Sequence, residues 1–485
     1  MGVDVAESLR LKRRTGKPSP VNQPVKPKRK VSVNALLGMG LWVLLWLGYN
    51  TDLSHVMNPN FPVNTTDFIH GVRAFFPMLA GWIALLLIFA RSSRLFPWIM
   101  GPLGLILLYA VTGLASSATV SINPTDALYY GANYLAIVLV LLAIVLVADP
   151  LQDLRMVLRL TWTVGTILTL ALLGAIPMLG SAVVFTAEGG SIGMRAYKGT
   201  GEIMGMASTR NTGFARYAAI SALVALPGLM RKGRPIVRII WGILFAASVY
   251  ALYIANGRTE ILAFVGSAAL ILGAEKATRF VNFLAATGAA ILLGLRGFYS
   301  GFFLYFTRTG HLDLTMSGRT ATWEDGWRLF WKSPWVGFGF QADRFYLNWH
   351  MHNAFLHVLV QSGLLGGGAI LIGLAIVWYY IIKYFFLRKP ADRSLTPPEI
   401  PAVFLFVTIS SITESTFAYY SAAWLLSAPI VAYVLVLNRQ IRQSSAAAAR
   451  EKWQKTRLGR RQTREADSAP VEGMSPSIIG GRTPS

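Results

Sequence analysis

Continuous apolar runs recur along this chain as far as residue 437, each about 17–22 residues long and so able to cross roughly 30 Å of hydrocarbon as a helix. They show no alternation of apolar and polar residues, which excludes the strands of a membrane barrel. With 54% apolar residues, 14% charged residues and a mean hydropathy of +0.49, the chain is too apolar for a soluble globular protein and too poor in charge for a disordered one. The sequence therefore predicts an all-α integral membrane protein.

Twelve spans are expected, at 31–49, 74–90, 97–116, 131–148, 160–180, 213–229, 239–256, 259–275, 280–297, 364–386, 400–418 and 420–437. Flanking charge checks the count. Arg91 and Arg94, Arg155 and Arg159, Arg231 to Arg238, Lys276 and Arg279, Lys383 to Arg393, and the C-terminal tail all fall on one side, which the positive-inside rule makes cytoplasmic. Both termini are then cytoplasmic, and the first run is read as a retained helix because no small-residue cleavage site follows it. The organisation is a basic tail at 1–30, about nine helices over 31–297, an outer loop at 298–363, about three helices over 364–437, and a basic disordered tail at 438–485.

The net charge of +23 is concentrated in those tails, with nine Lys/Arg against two acids in residues 1–30 and ten against four in 438–485. Topology accounts for such flanking cations without nucleic acid, which is not expected as a partner. The absence of cysteine removes disulfides, thiolate chemistry and thiolate metal sites.

Candidate chemistry gathers in the outer loop. Arg258 follows Asn256-Gly257 at a helix end near the outer interface, where an unpaired cation is costly, and its guanidinium offers a bidentate fork for phosphate. Arg319 follows Ser317-Gly318 and opens a short interfacial helix whose Trp323, Trp327 and Trp331 share one face. His352 precedes Asn353, a good N-cap for the amphipathic stretch behind it, and histidine is the usual general base toward a hydroxyl. His350-Met351-His352 lacks an obvious third ligand, so no metal is expected. Glu414, inside an expected span among Ser and Thr, reads equally as a functional acid or as interhelical hydrogen bonding.

The order of these pieces resembles the O-antigen ligase and polymerase superfamily. The matching residues are Asn256-Gly257-Arg258, Ser317-Gly318-Arg319 with Trp323, Ser333-Pro334-Trp335-Val336-Gly337-Phe338-Gly339-Phe340, and His352-Asn353-Ala354-Phe355-Leu356 with Gly363-Leu364-Leu365-Gly366. The resemblance implies a bacterial inner-membrane protein of about twelve transmembrane helices, with one large periplasmic loop containing short helices. It implies transfer of a saccharide from an undecaprenyl-diphosphate carrier to a glycan or lipid A-core hydroxyl, without metal or other cofactor. His352 matches the family's catalytic histidine, and Arg258 and Arg319 match its diphosphate-holding arginines. Ser317, Asn353, Gly337 and Gly339 are supporting residues. A polysaccharide polymerase of the same superfamily is the alternative. A lipid-linked sugar transporter is a further one, although its polar residues should line a midplane cavity. A metal-dependent transferase using Asp67 is a third rival.

Overall fold

The computed structural model describes residues 33–49, 65–147, 150–179, 185–186, 209–231, 233–255, 257–275, 319–387 and 393–467. Among the described residues the regular structure is helical apart from one two-residue parallel ladder, Phe185–Thr186 on Thr209–Arg210. The principal helices are α1 (Val33–Leu47), α2 (Phe76–Ala90), α3 (Pro102–Thr119), α4 (Pro124–Val145), α5 (Pro150–Leu179), α6 (Asn211–Met230), α7 (Pro235–Ala255) and α8 (Arg258–Glu275). They continue with α9 (Arg319–Lys332), α10 (Ala342–Tyr346), α11 (Ala354–Gly363), α12 (Ala369–Ile381), α13 (Glu399–Ser410) and α14 (Ala422–Asp467). Proline stands in the first turn of several of them, where its fixed φ suits a helix and its missing N–H costs nothing.

Among the described residues eight helices are long and apolar enough to cross a membrane, and Val33–Leu47 and Glu399–Ser410 are shorter apolar helices. The expected span at 280–297 lies outside the described residues, so the count of twelve is not reached among them. Trp42, Tyr109, Tyr134, Phe340, Trp424 and Tyr433 are fully buried at the centre. Ile239, Ile240 and Ile243 on α7 face outward, as lipid-facing residues do.

Three boundaries differ from the sequence reading. The span placed at 364–386 is preceded by helix from Ala354, ten residues earlier, where Asn353 caps it, and the two stretches are separated by a kink at Ser362 and Gly363. The span placed at 400–418 stops at Ser410, and 411–421 crosses the bundle without helical structure, its backbone and hydroxyls bonded among themselves. The third difference is the C-terminal segment. Residues 438–467, read as a disordered tail, continue α14, since its Ala, Gln, Arg, Lys and Glu are strong helix formers.

The Trp-Val-Gly-Phe-Gly segment and the Gly-Leu-Leu-Gly segment meet. Phe338 N donates to Val360 O (2.9 Å), Gly339 N to Gln361 O (2.8 Å) and Leu364 N to Pro334 O (2.8 Å). Gly337 and Gly363 have φ of +71° and +59°, and a Cβ at either would lie within 2.5 Å of the opposing backbone. Phe340 then enters the bundle between Gly113 of α3 and Gly131 of α4, packing on Tyr109 and Tyr134. Gly337 and Gly339 therefore let residues 334–339 lie against the end of the helix that follows His352.

Candidate functional site

Glu414 is the centre of the site. It lies in the non-helical stretch between α13 and α14 and is buried, at 3% exposure. A carboxylate removed from water must be paired, and three groups from three parts of the chain meet it. Arg319 donates from Nη2 to Glu414 Oε1 at 3.1 Å and from Nη1 to Thr413 O at 2.7 Å. Arg216 on α6 brings Nη2 to 3.6 Å from Glu414 Oε2. His352 Nδ1 lies 3.4 Å from the same oxygen.

Arg216 is held on its own helix by Thr212, through O at 3.0 Å and Oγ1 at 3.3 Å, and its Nε lies 4.0 Å from buried Glu260. The side chains of Arg216, His352 and Arg319 remain 13%, 20% and 21% exposed. The acids are sealed in, while each cation or imidazole keeps a face toward solvent.

The backbone at His352 is unusual. Its φ is +50°, a left-handed conformation that a side chain seldom adopts without outside support. Support comes from both flanks. Met351 N donates to Asp343 Oδ2 (3.1 Å), Trp323 Nε1 donates to Met351 O (2.8 Å), and Ala354 N donates to Ser411 O (2.9 Å). Asn353 caps α11 by accepting from Leu356 N at 3.0 Å.

The sequence-expected residues divide as follows. His352 and Arg319 are brought together on one carboxylate. Arg258 is the first residue of α8, two before Glu260, and Gly257 packs so closely on α6 that a Cβ there would meet Ala215 at 2.7 Å. Ser317 lies outside the described residues, as does the side chain of Asp67. Trp327 and Trp331 are exposed, and Trp323 is the one spent on the loop backbone.

Sequence reasoning offered Glu260 only as a bridging partner for Arg258, gave Arg216 no role among the third-loop cations, and left Glu414 undecided. The signal for Glu414 was available, because an acid inside an apolar run requires a partner. Arg216, one cation among several near the third outer loop, carried no distinguishing mark.

Behind His352 lies a second cluster. Asp343, fully buried, sits 2.9 Å from His350 Nδ1 and 3.0 Å from His357 Nε2, the latter off the line of a good hydrogen bond. Burial pushes the Asp343 carboxyl up, but His357 and His350 outweigh it and hold it well below the ordinary carboxylate range. Burial lowers His350 to about 4 against the pull of Asp343. Asp343, His350 and His357, and likewise His350, His352 and Glu414, bring donor atoms within 4.8 Å of one another, a set that a small divalent cation can use.

The fold and this arrangement define a multi-pass membrane protein with a charged, carboxylate-centred site where its helices meet the outer segment. A family model described as O-antigen ligase matches residues 243–372, the stretch that carries Arg258, Arg319 and His352. The chain is also 27% identical over 142 residues to the exopolysaccharide production protein ExoQ of Rhizobium meliloti strain 1021, a match covering 24% of this chain and 33% of that protein. The chain thus spans about a third of that relative's length. Residues 243–372 are thus similar to the O-antigen ligase family.

Proposed function

We propose that the protein is a membrane glycosyl transferase that moves a saccharide from an undecaprenyl-diphosphate carrier to an acceptor hydroxyl. The reaction takes place on the periplasmic side of a bacterial inner membrane, with both termini cytoplasmic. The observation that carries the reading is the single buried carboxylate of Glu414 holding one imidazole and two guanidiniums. With His352 Nδ1–H directed at Glu414, Nε2 is left to take the acceptor's proton.

The acceptor oxygen then attacks the anomeric carbon, the bond from that carbon to the diphosphate oxygen breaks, and the proton remains on His352. Negative charge develops on the departing diphosphate, and Arg319, Arg216 and Arg258 are the groups to receive it. That Arg319 and Arg216 already flank one carboxylate supports this reading.

Ligation to lipid A-core is the first reading, and the likeness to a family described as O-antigen ligase supports it. Polymerisation of a lipid-linked repeat is the second reading, and the likeness to a protein of exopolysaccharide production favours it. A deletion strain separates them: loss of all polymer from lipid A marks a ligase, and a single retained repeat marks a polymerase. Complementation with His352→Ala tests the shared chemistry. Glycan output at the wild-type level would reject His352 as the base.

A further inference from the structure

The Asp343 cluster shares His350 with the Glu414 site and is built as tightly as that site. We propose that Asp343 and His350 are positioning residues for His352, acting from behind its ring to hold it in its left-handed backbone conformation and to set one imidazole tautomer against it. The proposal rests on the glycosyl-transfer reading for its kinetic consequence but not for its structural one.

Asp343 Oδ2 accepts two donors from the loop, His350 Nδ1 at 2.9 Å and Met351 N at 3.1 Å. Those residues are the two immediately before His352, so one carboxylate fixes the direction in which the chain enters the φ +50° position. The exit is fixed independently by Ser411 on Ala354 N. A carboxylate that accepts from Nδ1 also selects the His350 tautomer, since the proton must sit on that nitrogen.

The selected ring then stands against His352, with centroids 4.5 Å apart and planes at 74°. The groups around His350 are Asp343, His352, His357 and Tyr419. With its Nδ1 bonded to Asp343, the His350 ring is fixed in place and forms a wall against the His352 ring.

His357 completes the support. Gln361, with its amide oriented so that nitrogen donates to Ala418 O (2.8 Å), accepts from His357 Nε2 at 2.8 Å and from Gln341 N at 3.2 Å. This amide also meets the hydroxyl of Tyr109 on α3. The cluster is thereby anchored to the bundle core rather than to the loop alone.

The test uses the full chain in lipid nanodiscs, with histidine labelled by 15N, and compares wild type, Asp343→Asn, Asp343→Glu and His350→Gln. In wild type the His350 spectrum is that of the Nδ1–H tautomer, and in Asp343→Asn it becomes a tautomer mixture while the protein remains folded by melting. On lipid-linked glycan extracted from a deletion strain, Asp343→Asn lowers kcat by about 10–100-fold, the range for an orienting partner, with KM for the donor unchanged and partial recovery in Asp343→Glu.

An unchanged tautomer together with unchanged kcat overturns the proposal. So does a divalent metal bound stoichiometrically in wild type and lost in Asp343→Asn, which would make the cluster a metal centre instead. Full activity of His352→Ala would reject the glycosyl-transfer reading alone, because the tautomer measurement needs no turnover.

Discussion

Replacing Glu414 by glutamine separates binding from turnover. The carboxylate stands 3.1 Å from Arg319 Nη2 and 3.6 Å from Arg216 Nη2. At an effective dielectric of about 20, each contact represents roughly 4–5 kcal/mol of Coulomb attraction. Desolvation offsets most of it, leaving about 1.5–3 kcal/mol for a hydrogen bond to a charged group. Glutamine keeps the shape and removes the charge, so both guanidiniums lose their internal counter-ion and an incoming diphosphate meets no competing carboxylate. Since about 1.4 kcal/mol is tenfold in affinity, Kd for undecaprenyl diphosphate should fall by at least about tenfold. Turnover should fall by about 100-fold, the scale of a general base that has lost its orienting partner. Binding is measured by microscale thermophoresis in nanodiscs and turnover on lipid-linked glycan. A Glu414→Gln protein that binds the diphosphate more weakly, or turns over normally, would show that the carboxylate is not the counter-ion of this clamp.

Arg319→Lys should weaken diphosphate binding about tenfold despite conserved charge, because lysine cannot bond Thr413 O and an anion with one planar fork; the same binding assay reads it. Gly363→Ala should lower Tm by an amount matching about 2–3 kcal/mol, since φ is +59° and the new Cβ would meet Trp335 at 2.2 Å; differential scanning fluorimetry checks it. Tyr109→Phe should cost about 1–3 kcal/mol by leaving Gln361 and Ala418 O short of a partner, with diphosphate affinity unchanged. For pH, His350 is lowered in the fold from 6.5 to about 4, so the unfolded chain binds the extra proton between those values. Stability is therefore full above about pH 6.5 and declines as pH falls toward 4, and His350→Gln should flatten that part of the melting profile.

The membrane class and the helical architecture were legible because lipid imposes a length and a polarity that composition must obey. Asn353 was legible as a cap, and Trp323, Trp327 and Trp331 as one helix face. The rest depended on contacts between distant residues. The break after Ser410 was not read, although Ser411, Thr413, Glu414, Ser415 and Thr416 make the stretch polar, because such residues inside a span also serve interhelical hydrogen bonding. The meeting of Phe338 and Gly339 with Val360 and Gln361 is a pairing across more than 20 positions that no local pattern announces. Arg216 is the clearest omission. It stands 198 positions from Glu414, and only folding shows that its charge serves the same carboxylate as Arg319.

The claim at the centre of this account is that the cations around Glu414 receive a lipid diphosphate beside His352. A cryo-electron microscopy structure of the full chain in nanodiscs with undecaprenyl diphosphate tests it most directly. The account predicts diphosphate density within hydrogen-bonding distance of Arg319 and Arg216, with His352 beside the bond that would break. Density held by other residues, with the Glu414 cluster left as it stands, would contradict it.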